Sequence, residues 1–309
     1  MKRNLYQRWA LLTILSVVFL IGVGSLVRAS GAGLGCPDWP KCFGTWIPPL
    51  SVEELPPQFE PSQFNLFKTW TEYINRLTGV LIGLFIFITT LLSFRFRKEK
   101  PIVMWFSIAS FILVAFQGWL GSIVVATELT AWVITAHMVV AMIILLLLMF
   151  AYYASFNENG IQYISQENRK SLLPLVVSLG IITCLQVILG TQVREEIDVL
   201  TKSFAELPRE YWINTIRDRN ILHDIHRSFS WVPLILAVII WWKAFRSDVH
   251  KLYYSYTVAT VLLIVLQSAA GIILSYYSMP ATMQVVHLTN FSLLFLSEVR
   301  LLQLTLKQA

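Results

Sequence analysis

"HDIHRSFSWVPLILAVIIWW", residues 223–242, decides how the rest of the chain is read. From Trp231 onward it is apolar, and with its polar head it is long enough to enter a bilayer. At that head stand His223, Asp224, His226 and Arg227. Ionisable groups are expensive inside a membrane, so a span that keeps them marks a functional candidate. Two questions follow: how many such spans the chain has, and what its histidines are for.

The 309 residues are 56% hydrophobic and only 14% charged, with a mean hydropathy of +0.63. A soluble domain carries about 25% charged residues. The chain therefore reads as an all-α integral membrane protein whose constant partner is lipid. The net charge of +6 calls for no nucleic acid, because basic residues beside spans are topogenic signals. The first apolar run, "WALLTILSVVFLIGVGSLV" (9–27), follows Lys2, Arg3 and Arg8. It exceeds a signal-peptide core and lacks an A-x-A site, so it reads as a retained helix.

Eight transmembrane helices are expected, near 9–27, 70–94, 102–125, 132–154, 172–192, 221–243, 252–276 and 281–304. Basic segments precede the first and follow the second ("RFRKEK"), fourth ("NRK") and sixth ("KAFRSDVHK"). The positive-inside rule puts these in the cytoplasm. The expectation is a multi-pass protein of the cytoplasmic (inner) membrane with both termini cytoplasmic. The outer face then receives 28–69, 126–131, 193–220 and 277–280. His137, His226 and His287 all fall near the outer starts of even-numbered spans, at similar depth on three helices.

The halves of the chain resemble each other. "VGSLVRASGAG" (23–33) pairs with "LGTQVREEID" (189–198), and "FQGWLGSIVV" (116–125) with "LQSAAGIILS" (266–275). "EYINR" (72–76) pairs with "HDIHR" (223–227), and His137 with His287. Each half holds four helices in one order and orientation, a parallel internal repeat. The expected architecture is two pseudo-symmetric four-helix bundles, 1–160 and 161–309. In this alignment Asn75 answers His226, and Glu72 answers His223.

Two histidines facing each other across a bundle suit six-coordinate haem iron, each imidazole giving one axial nitrogen. Zinc wants four ligands, often cysteine or carboxylate, and no Cys or Met cluster suggests copper. His226 and His287 are thus candidate axial ligands toward the outer face. Arg28, Arg76, Arg194 and Arg227 stand where anionic propionates would reach the interface. Snorkelling is the competing explanation for these arginines. Cys36 and Cys42, in "GLGCPDWPKCFG" (33–44), lie in an outer, oxidising loop where a disulfide forms readily. The pair serves either as a loop staple or as a redox couple. Cys184, within the fifth span, reads as a packing residue.

These features together resemble the haem A synthase family, membrane enzymes that convert haem O to haem A for terminal oxidases. The resemblance is carried by "RASGAGLGCPDWPKCFG" (28–44), "EYINRLTG" (72–79), "LQVILGTQVR" (185–194), "HDIHRSF" (223–229), His137 and His287, and covers nearly the whole chain. It implies a haem b on His226 and His287 in the C-terminal bundle. The N-terminal bundle is implied to hold the substrate haem at His137. The implied reaction oxidises a ring methyl to a formyl group in two successive steps, with Glu72 as the catalytic carboxylate. The competing explanation for Glu72 is an ordinary helical salt bridge to Arg76. Where the family commonly has a second histidine on helix 2, this chain has Asn75, consistent with an open substrate site or with drifted activity. A haem O synthase, an unidentified electron donor and a second copy of the chain are the implied partners. The chief alternative is an electron-transfer b-type cytochrome without haem-modifying activity, against which Asn75 argues. A transporter of parallel repeats or a thiol oxidoreductase leaves the paired histidines unexplained.

Overall fold

A computed structural model describes residues 3–157, 162–203, 208, 211, 214–215 and 221–307. Among these, eight helices are long and apolar enough to cross a membrane. The first four are Leu5–Ala29, Leu66–Phe96, Pro101–Ala126 and Ala131–Ala154. The fifth is Gln166–Ser203, and the last three are Ile221–Arg246, Lys251–Tyr276 and Ala281–Leu306. Hydropathy sets all eight. Isolated bridges, Cys42 with Thr45 and Ile164 with Val249, are the only β pairing among the described residues.

Two spans differ from the expected pattern. The fifth continues past its apolar run through "TQVREEIDVLTKS". Glu, Gln, Lys, Arg and Leu are good helix formers, and Arg194 pairs with Asp198 one turn on, at 2.9 Å. Val193 and Ile197 on this extension are buried against Leu200, Leu222 and Met279, so the segment expected as an outer loop from 193 begins as a docked helix. Most of 204–220 lies outside the described residues. The sixth span is broken between Phe229 and Trp231. Pro233 has no N–H for the Phe229 carbonyl, and its ring crowds that carbonyl. The Ser230 hydroxyl instead bonds the Arg227 carbonyl at 2.6 Å.

The chain divides into two compact units, Met1–Phe156 and Asn157–Ala309. The boundary expected between 160 and 161 lies outside the described residues. In the first unit, spans one and two, two and three, three and four, and four and one are neighbours. Spans two and four are thus left on a diagonal. Asn4 and Gln7 form a reciprocal cap on the first helix. Hydrogen bonds then fix the register of its neighbours: Thr13 with Thr89 at 2.8 Å, Tyr6 with Ser107 at 3.1 Å, and Thr90 to the Ser107 carbonyl at 2.9 Å. Each such bond contributes only about 0.6 kcal/mol in a bilayer, so they choose register more than they set stability.

The second unit repeats that neighbour order with spans five to eight, leaving six and eight on its diagonal. Its polar ties are Thr260 with Ser297 at 2.9 Å, Tyr253 with Thr305 at 3.2 Å, and Asn290 to Gln267 at 2.7 Å. His250, the histidine expected on the cytoplasmic side, caps the seventh span through Nδ1, which accepts from the Leu252 N–H at 3.1 Å. That role is structural.

Residues after the first span fold into a small domain over the start of the second. Cys36 and Cys42 form a disulfide, and both are completely buried together with Phe43 against Leu55, Phe59, Phe64 and Tyr73. Asp38 receives the backbone N–H of Phe43 (2.6 Å) and of Gly44 (2.8 Å), fixing a turn whose φ values, 53° and 74°, are left-handed. Gly35 touches the second span so closely that a Cβ there would sit 2.3 Å from the Lys68 carbonyl oxygen. Backbone cannot move aside for it. Gly35→Ala is therefore expected to lift the loop, destabilising it by more than about 2 kcal/mol. The check is the rate at which a small reductant opens the Cys36–Cys42 bond, which should rise; an unchanged rate would show that the loop docks elsewhere.

Candidate functional site

Both units bring a pair of polar residues to diagonal helices. In the second unit these are His226 on the sixth span and His287 on the eighth. In the first unit they are Asn75 on the second span and His137 on the fourth. Asn75 lies on the inward stripe of its helix, three residues from buried Glu72 and seven before buried Ile82.

The histidines share a local pattern. Each is half-buried with a buried Nδ1, and that of His137 has no hydrogen-bond partner. The backbone of Gln186 lies next to the His226 ring, and that of Gln267 next to the His287 ring. Glycines let the rings approach neighbouring helices. A Cβ at Gly190 would stand 3.2 Å from His226 Cε1, and one at Gly271 3.5 Å from His287 Cε1. Glutamine side chains hold the helices beneath them. Gln186 donates to the His226 carbonyl at 3.2 Å, and Gln117 to the His137 carbonyl at 2.9 Å.

This donor set fits haem iron better than a bare ion. Two imidazoles on opposite helices, with Nδ1 turned into the protein, leave Nε2 as the nitrogen for a metal, as in ligated histidines generally. Among the described residues no three His, Cys, Asp or Glu side chains converge as a zinc site requires.

Glu72 and Arg76 sit at the junction of the second span and the cysteine loop. Glu72 is only 4% exposed. Its Oε2 accepts the Cys36 N–H at 2.9 Å, and its Oε1 accepts from Arg76 Nε at 3.1 Å and from Arg76 Nη2. Arg76 also donates to the carbonyls of Asp38 (2.7 Å), Lys41 (2.9 Å) and Cys36 (3.4 Å). Those contacts occupy the five N–H donors of a guanidinium. Arg76 is thus committed to the loop and to Glu72, with no donor left over for a propionate. Both cysteines are fully buried, so in this fold neither sulfur is accessible to an attacking thiolate.

The other arginines are dispersed. Arg194 joins Asp198 at 2.9 Å and donates to Gln284 Oε1 at 2.7 Å, tying the fifth span to the eighth. Arg227 is exposed and 3.4 Å from Asp224. Arg28 is in the last turn of the first span, half-buried. His223 is buried, with Nε2 at 3.2 Å from the Ser275 hydroxyl, which ties the head of the sixth span to the seventh. Glu298, a fully interior carboxyl on the eighth span accepting from Thr183 at 2.9 Å, was not among the candidates. Its signal was an acid inside a span.

Comparison with known proteins bears on these sites. Residues 7–299 match the model of the cytochrome oxidase assembly protein family. A protein named heme A synthase from Wolbachia sp. subsp. Brugia malayi is 26% identical, the match covering 90% of this chain and 90% of that protein. Another of that name from Shouchella clausii is 24% identical over 94% of this chain and 93% of its own. A third, from Shewanella oneidensis, is 23% identical over 94% of each.

Proposed function

The chain belongs to the cytochrome oxidase assembly protein family, and from that premise we propose that it is a haem A synthase, an oxidoreductase acting on haem O. The reaction takes a ring methyl to an alcohol and then to an aldehyde; each step removes two electrons from the substrate with dioxygen as oxidant, and two further electrons with two protons reduce the second oxygen atom to water. The observation that carries this reading is the placement of His226 and His287 on the diagonal helices of one unit, each with a buried Nδ1. The names of the relatives supply the substrate.

In this reading His226 and His287 hold a resident haem b, which supplies one-electron transfer when bound. His137 and Asn75 face the substrate haem in the first unit. Glu72 lies one turn outward of Asn75 on the same stripe. Both its oxygens are held, by the Cys36 amide and by Arg76, so it is a fixed negative charge rather than a mobile base. A preorganised carboxylate in a low-dielectric bundle stabilises positive charge developing at a neighbouring carbon. The cysteine loop fixes that charge in place. The protein is read as an inner-membrane enzyme with cytoplasmic termini and both haem sites toward the outer face, drawing electrons from a donor outside this chain.

The test is to purify the protein from cells that make haem O and identify the extracted haems by chromatography. Haem B together with haem O or haem A is the expected result. Haem B alone would reduce the protein to a cytochrome, and no haem at all would overturn the reading.

A further inference from the structure

The two units treat one position differently. At the sequence "HDIHR" the second unit carries His226 on the helix diagonal to that of His287; at the matching "EYINR" the first carries Asn75 on the helix diagonal to that of His137. A carboxamide is a poor iron ligand. Yet Asn75 is not simply a filler. Its Oδ1 is buried and has no hydrogen-bond partner in the chain. Buried polar groups are nearly always satisfied, and an unsatisfied one costs about 1–3 kcal/mol. Such a group on the inward face of its helix points to a partner that is not protein. One turn further along, a Cβ built at Gly79 would meet nothing within 4 Å, so the helix has open space there. Across the bundle His137 presents a half-buried ring whose Nδ1 is also unpartnered.

We propose that the first unit binds its haem substrate through one axial protein ligand, His137, and that the Asn75 carboxamide hydrogen-bonds a small ligand in the position opposite. Asn75 is a positioning residue for that small ligand, and the site opens the iron to exogenous molecules on one face only. The second unit, with a histidine on each side, closes both. This inference rests on the reading of the first unit as the substrate site.

The experiment uses the full-length protein from cells making haem O, oxidised, with cyanide as the probe. Paramagnetic resonance is expected to show one low-spin haem and one high-spin haem, and cyanide to convert only the high-spin one. Asn75→His should turn that haem low-spin and abolish its cyanide binding. Asn75→Leu should keep it high-spin and weaken cyanide binding about tenfold, as loss of one hydrogen bond to a polar ligand does. The low-spin signal of the second unit reports in each variant that the protein is folded. Two low-spin haems in the native protein, or cyanide affinity unchanged in Asn75→Leu, overturns this inference and leaves the substrate reading standing. Absence of any second haem in native protein and variants alike overturns the substrate reading and this inference with it.

Discussion

Alanine at His226 or at His287 is expected to strip the protein of its low-spin haem and to reduce haem O conversion to background. The two residues stand on the diagonal helices of one unit, and in the proposed reading each would supply one of the two axial bonds. Losing even an outer-shell partner of a ligand lowers metal affinity about 10–100-fold, so loss of a ligand itself should exceed about 100-fold. The two variants should behave alike, because neither nitrogen can replace the other across the bundle. His137→Ala provides the contrast: it should spare the low-spin haem and remove the second one. Spectra of the purified variants, with haem extracted and quantified, make the comparison. A full complement of low-spin haem in His226→Ala would sink the assignment. His223 is the nearest alternative ligand, but its Nε2 is engaged with Ser275, so it is not poised to substitute.

The membrane fold is legible because bilayer thickness imposes length and apolarity together. Even the shortest of the eight spans, Ala131–Ala154, clears both demands. The fifth span shows the limit of that logic. Its extension beyond Gln192 is polar, so hydropathy ends the helix where helix propensity and the Arg194–Asp198 pair continue it. The histidines are legible for the opposite reason: each is an ionisable group at a depth where such groups are rare. Glu298 is equally visible as an acid inside the eighth span, and only its Thr183 partner needed the fold. The anchoring of Glu72 is not legible at all. One partner, Arg76, stands at the obvious helical spacing, but the other is the backbone N–H of Cys36. No side-chain pattern encodes a backbone donor 36 residues away. The same holds for Arg76, whose loop contacts are all carbonyls; sequence marks it as a cation near an interface, and geometry commits it to the cysteine loop.

Glu72→Gln is expected to lower haem O conversion by more than about 100-fold, the loss typical when a preorganised charge or donor is removed from a reacting centre, while the low-spin haem of the second unit stays in place. The substitution keeps shape and removes charge. It also disturbs the loop, since an amide cannot accept from both Cys36 and Arg76 as the carboxylate does. Catalysis and loop anchoring therefore have to be separated, and Arg76→Lys separates them. An ammonium has three donors and no planar fork, so it cannot serve Glu72 and the carbonyls of Cys36, Asp38 and Lys41 together. It should loosen the loop at least as much as Glu72→Gln does, yet it leaves the carboxylate charged. Reduction of the Cys36–Cys42 bond measures the loosening in both variants, and product analysis measures conversion. If Glu72 only holds the loop, conversion falls with loosening along one line through both variants. If its charge acts on the substrate, Glu72→Gln falls far below that line while Arg76→Lys retains much of its activity. Full conversion by Glu72→Gln would remove Glu72 from the reaction altogether and leave it as the anchor of the disulfide loop.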